Sequence, residues 1–321
     1  MAGNRQLRNS LLLTLTAAIW GVAFVAQSEG SAYMGAASFT GIRSLIAAAA
    51  LGLLILLRDQ MRSGAGGIGG REHFLASGHR YQSEAKQSSI WKAGAICGAL
   101  LFIASLTQQQ GIELGTGAGK AGFITATYIV LVPIVNLVLF RKKTSAALWL
   151  AVAFGLAGLY LLCMDESFTI QRGDLLVLFC AVAFTFQILA VDRFSPQFDA
   201  LKLSAIQFLT CGVLASIVMI FRDIVPIGLT AWAAPFASWN AWIPLLYAAI
   251  LSSAVGYTLQ IVGQKDLNPT LASLLMSLES LFAVLAGWLI LHQKLTPREL
   301  LGAALVFIAI LIAQLAPAQR P

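Results

Sequence analysis

From Gly117 to Lys143 the chain reads GAGKAGFITATYIVLVPIVNLVLFRKK. After Lys120, twenty residues pass without a charge, until Arg141-Lys142-Lys143 closes the run. At 1.5 Å per residue, about twenty helical residues cover roughly the 30 Å hydrocarbon layer of a bilayer. Comparable runs recur at about 10–27, 36–57, 91–109, 146–164, 174–191, 200–221, 240–260, 269–291 and 297–315, which makes ten with the quoted one. The 321 residues are 58% hydrophobic and only 11% charged, with mean hydropathy +0.81. A soluble domain carries roughly 25% charged residues, so a water-soluble enzyme is excluded. The fold expected is an all-α integral membrane protein of ten transmembrane helices with short loops.

Helix punctuation supports several of these limits. Asn268-Pro269 sets an N-cap residue before a proline at the first helical position, and Thr296-Pro297-Arg298-Glu299 has the capping-box spacing. With the N-terminus inside, fifteen of the 21 Lys and Arg residues fall on inner segments and five on outer ones. That bias predicts both termini in the cytoplasm. The net charge of +7 therefore belongs to membrane topology, and no basic stripe suggests nucleic acid. The stretch 58–90 is rich in glycine, carries His73 and His79, and reads as a flexible cytoplasmic loop. Cys97, Cys163, Cys180 and Cys211 all fall inside apolar runs at no metal-like spacing, and read as packing residues.

Landmarks repeat along the chain. Trp20 and Phe184 are 164 positions apart, as are Arg43 and Gln207. Later the offset is 151, relating Trp91 to Trp242, Gln109 to Gln260, Tyr128 to Glu279 and Lys143 to Lys294. This predicts two five-helix repeats, 1–165 and 166–321. Five is odd, so the repeats must sit in the membrane with opposite orientation. Inverted repeats of this kind place a substrate site near the midplane at the repeat interface.

Only Arg43 and Glu279 among the ionisable residues lie clearly inside spans. A charge at bilayer depth costs at least about 2.5–3.5 kcal/mol, so each must face protein or water and usually marks function. Glu279 stands about ten residues into its span, near the midplane, and is the candidate for proton coupling or for a substrate amine. Its alternative role is a structural hydrogen-bonded acid. Arg43 can bind a carboxylate, pair with Glu279, snorkel outward, or brace neighbouring carbonyls. Trp20, Phe24 and Gln27 follow at i, i+4 and i+7 on one helix face. Gln109, Tyr128, Gln187, Tyr257 and Gln260 add polar groups at depth that must line a cavity or cross-link helices. These ten residues are the candidate substrate-binding set. Gly94 and Gly98, and Ala151 with Gly155, read as faces of close helix packing.

Four segments resemble the EamA family of the drug/metabolite transporter superfamily. They are Ala18-Ile19-Trp20-Gly21-Val22-Ala23-Phe24, Phe39-Thr40-Gly41-Ile42-Arg43, Ala118 to Thr125 running on to Val132-Pro133, and Leu278-Glu279-Ser280-Leu281-Phe282. Their order covers about residues 10–315, with Ser280 where the family commonly has proline. The resemblance implies a secondary transporter of small metabolites, amino acids or related compounds, exporting them across the inner (cytoplasmic) membrane by alternating access. Its partners would be a small solute and the lipid bilayer, with a homodimer compatible. The alternatives are a proton-coupled efflux transporter of lipophilic cations and, from another class, a membrane-embedded lipid-modifying enzyme. No Walker A motif, His/Cys cluster or paired carboxylates stand in the spans, so no metal, cofactor or enzymatic chemistry is expected.

Overall fold

The computed structural model describes residues 2–65, 78–163, 170–265, 267–291 and 296–315. The first half holds α1 (Ala2–Ser31), α2 (Ala36–Ala65), α3 (Gly78–Glu113), α4 (Ala118–Ala126), α5 (Tyr128–Phe140) and α6 (Ala146–Cys163). The second begins with α7 (Arg172–Phe194) and α8 (Ala200–Met219), which ends in a π-helical turn, Ile220–Ile224. The short α9 (Leu229–Ala233) leads to α10 (Trp239–Leu246), a π-helical stretch Tyr247–Gly256, and α11 (Tyr257–Gln264). The chain continues through α12 (Pro269–Met276), α13 (Leu278–Leu291) and α14 (Pro297–Leu315). Among the described residues nine segments are long and apolar enough to cross a membrane, and Ala146–Leu162 is a shorter tenth.

Local chemistry explains where these helices start and stop. Asn268 Oδ1 accepts from Thr270 N at 2.8 Å, and Thr296 and Glu299 form the reciprocal capping pair, with Glu299 N donating to Thr296 Oγ1 at 3.2 Å. Arg141, at φ 54°, turns the chain left-handed and ends α5 just where the basic cluster begins. Both flanks of the expected loop 58–90 are helical. α2 runs on to Ala65 and α3 starts at Gly78, helped by good helix formers on each side: Arg58, Gln60, Met61 and Arg62 in α2, and Gln82, Glu84, Ala85 and Lys86 in α3. His73 lies outside the described residues, as does the side chain of His79.

Two spans are broken at mid-depth, which hydropathy did not indicate. Thr127 separates α4 from α5, and its hydroxyl donates to Ile124 O at 2.6 Å. Ser277 separates α12 from α13, and its hydroxyl donates to Leu274 O at 2.8 Å. Such back-bonding competes with the regular ladder and kinks it.

α6 packs on α14, α2 on α8, α3 on α7 and α8, and α1 on α11 and α13. The pattern survives exchange of the two halves: α3 with α7 has its counterpart in α1 with the α10–α11 span. The contacts are close because the meeting residues are small. A Cβ on Gly158 would stand 2.7 Å from Gly302 O, and one on Gly98 2.5 Å from Gln207 O. Large apolar side chains such as Leu53, Phe140, Phe221 and Phe307 point outward, as lipid contact requires. Cys97, Cys180 and Cys211 are buried and free.

The ion pairs between the halves, among the described residues, lie at the helix ends. At the end away from the termini, Lys120 Nζ meets Asp174 at 2.5 Å, Thr116 donates to the same carboxylate at 2.9 Å, and Arg222 pairs with Glu113 at 3.3 Å. Ser38 donates from N and Oγ to Asp223 at 2.7 and 2.6 Å. At the other end, Arg58 meets Asp199 at 2.9 Å. Partial burial pushes the Asp199 carboxyl up, but hydrogen bonds from Lys202 N and Arg58 outweigh it and hold it below the usual carboxylate range. A depressed carboxyl stabilises the fold above its unfolded value and loses that contribution as pH falls through the folded one. The ion pair is screened, so the N-cap dominates, and Asp199→Ala is expected to lower stability by about 1 kcal/mol at pH 7. Thermal unfolding of the purified protein should show that gap closing on acidification below about pH 4.

Candidate functional site

The WG pair of α1 sets the centre of the molecule. Gly21 leaves no room for a side chain: a Cβ there would stand 2.6 Å from Glu279 O on α13. α1 thereby lies directly on the first turn of α13, and Trp20 is carried beside the π-helical stretch. Its indole N–H donates to Ser252 O at 3.1 Å, and its ring stands 4.6 Å from that of Tyr257. Tyr257 in turn meets Phe208 edge-on at 5.3 Å.

Both broken spans start their second halves here. α5 opens with Tyr128, and Glu279 is in the first turn of α13, where a helix N-terminus favours negative charge by roughly 0.3–1 kcal/mol. Tyr128 OH donates to Glu279 Oε1 at 3.3 Å. The two residues related by the 151 offset therefore meet directly, fourth span against ninth. Glu279 is only 4% exposed and Arg43 5%.

Between them lies a small cavity of about 30 Å³, lined by Trp20, Phe24, Gln27, Arg43, Tyr128, Tyr257, Gln260 and Glu279. At roughly 10–15 Å³ per water it holds about two. Eight of the ten expected residues thus surround one space. Gln109 and Gln187 do not. Gln109 turns away and donates to Gln27 O at 3.0 Å, while its neighbour Gln108 lines the cavity and donates to Thr125 Oγ1 at 3.0 Å. Gln187 sits behind Gln260 and accepts from its Nε2 at 3.2 Å. One residue is 100° of helix rotation, which sequence spacing alone did not fix for these two glutamines. Ser252, Phe184 and Met276 also line the cavity without having been singled out.

Arg43 does not pair with Glu279. Among the described residues no carboxylate bridges to it, its Nε has no hydrogen-bond partner, and its guanidinium lies 5.5 Å over the Phe39 ring. Gln27 Oε1 and Gln260 Oε1 are likewise buried without partners. The cavity therefore combines one unpaired cation, one carboxylate held by a single tyrosine, two unpartnered amide oxygens, and aromatic faces.

The comparisons with known proteins agree with this architecture. The model of the EamA-like transporter family matches twice, over residues 8–164 and 171–314. An Archaeoglobus fulgidus protein described as an uncharacterized transporter is 29% identical over 225 residues, which is 70% of this chain and 69% of that one. A solved crystal structure superposes with a TM-score of 0.71 over 97% of this chain and 99% of its own, at 18% identity, a likeness of fold. With both halves of a ten-helix bundle matched, the chain belongs to the EamA-like transporter family and is a multi-pass membrane transporter of that kind.

Proposed function

We propose that the protein exports small zwitterionic metabolites, amino acids or related compounds, across the cytoplasmic membrane as a secondary transporter. Residues 1–165 and 166–321 are read as two inverted repeats that rock about the cavity, with both termini in the cytoplasm. The observation that carries this reading is Arg43, a buried cation without an acidic partner among the described residues, in the same cavity as Glu279. Arg43 offers a charge-assisted bond to a carboxylate, and Glu279 offers one to an ammonium group. A cavity this small closes around water alone, so the helices must part to load a solute, as alternating access requires.

A second reading, efflux of lipophilic cations, draws on the Trp20–Tyr257 ring pair beside Glu279. Arg43 opposes it, because a like charge in the same small, buried space repels the cargo. The test is competition in proteoliposomes: counterflow of a radiolabelled amino acid mixture is expected, and a lipophilic cationic dye should compete poorly. Dye transport without amino acid counterflow would reverse the order of the two readings.

A further inference from the structure

Three glutamines form a continuous chain from the cavity into the packed interior. Gln260 Nε2 on α11 donates to Gln187 Oε1 on α7, and Gln187 Nε2 donates to Gln207 Oε1 on α8 at 3.3 Å. All three are buried to within 1%. The chain is unfinished at both ends: among the described residues neither Gln260 Oε1 nor Gln207 Nε2, at the far end, has a partner, and Gln260 is the member that lines the cavity. An amide carries both an acceptor and a donor. Turning all three amides over keeps both internal bonds and makes Gln260 present its NH₂ to the cavity instead of its oxygen. The two arrangements are equal in hydrogen bonds.

We propose that this amide relay selects solutes carrying a neutral polar group, a hydroxyl or carboxamide, beside their zwitterionic end. Such a group both donates and accepts, so it completes the chain in either direction. A methyl group completes neither and leaves a buried amide atom unpaired. A charged group can also hydrogen-bond to Gln260 but finds no counter-ion along the chain, so its desolvation is not repaid: the far end is a neutral amide, where the corresponding position of the first half holds Arg43. Gln187 and Gln207 act here as positioning residues through Gln260, and the proposal rests on the reading of the cavity as a zwitterion site.

The test is calorimetric binding to the purified protein with near-isosteric pairs, threonine against valine and asparagine against leucine. The polar member of each pair is expected to bind roughly 5–150-fold tighter, because the apolar member leaves a buried amide atom unsatisfied. Gln187→Met, which keeps the length but cannot pass the bond on, should bring both ratios within about twofold while valine binding holds. Gln207→Met, remote from the cavity, should do the same and carries the test if Gln187→Met does not fold. A merely structural loss would weaken both members of a pair alike. Equal binding of the pair members by the unaltered protein, or ratios unchanged in both variants, overturns the relay alone. No binding of any of the four overturns the zwitterion reading and the relay with it.

Discussion

Glu279→Gln, reconstituted in liposomes, is expected to lose all solute accumulation driven by a pH gradient while the protein remains folded. The amide keeps the volume of the acid and still offers an oxygen to Tyr128 OH, whose 3.3 Å bond is the one hydrogen bond the carboxylate makes within the described structure. Packing around it, including the close approach of Gly21, is therefore undisturbed. What changes is that the residue can no longer take up or release a proton. If Glu279 is the coupling group, solute exchange between loaded vesicles should persist and become independent of pH. If it serves only as counter-charge for an ammonium group, binding itself should fall by roughly 10–150-fold, the loss of one hydrogen bond to a charged group, and exchange should fall with it. Flux that retains its pH dependence in this variant would remove Glu279 from the coupling role altogether.

The sequence made Glu279 and Arg43 visible because charge is so scarce at depth, and it made the Tyr128–Glu279 contact visible through the 151 offset. In a structure built from two related halves, equivalent positions meet only where they lie beside the relating axis, and there, as for Tyr128 and Glu279, a sequence offset becomes a spatial contact. The capping signals at Asn268 and Thr296 were legible for an equally local reason, since their partners lie within three residues. Facing direction was not. A soluble helix reveals its buried side by apolar periodicity, but here lipid and core are both apolar and the period fades. Gln108 and Gln109 are equally polar, and only packing shows that Gln108 faces the cavity. The breaks at Thr127 and Ser277 were hidden in the same way: both residues are mild helix formers in long apolar runs, and the hydroxyl back-bonds that mark the breaks exist only in three dimensions. The π-helical stretch that gives Trp20 its carbonyl partner, Ser252 O, leaves no compositional trace either.

Arg43→Met is expected to abolish recognition of the carboxylate while sparing the fold. Burying a cation without a counter-ion is costly, so an apolar replacement of similar length relieves that cost and should leave thermal stability unchanged or raised. The contact over Phe39 at 5.5 Å is lost, but at about 0.5–2 kcal/mol it is smaller than the desolvation it accompanies. For a bound zwitterion the balance runs the other way. The solute carboxylate supplies the missing anion, and a hydrogen bond to a charged group is worth about 1.5–3 kcal/mol. Removing it should raise the Kd for an amino acid by roughly 10–150-fold. The corresponding primary amine, which lacks the carboxylate, should lose nothing and gain from the relieved repulsion. That crossed result separates substrate contact from bracing, since an arginine that only holds neighbouring helices together would weaken both ligands and lower the unfolding temperature. Measuring both Kd values and the unfolding temperature on the same purified variant decides between them. A parallel loss for amino acid and amine, with a lowered unfolding temperature, would assign Arg43 to the scaffold and leave Glu279 as the sole charged contact for the solute.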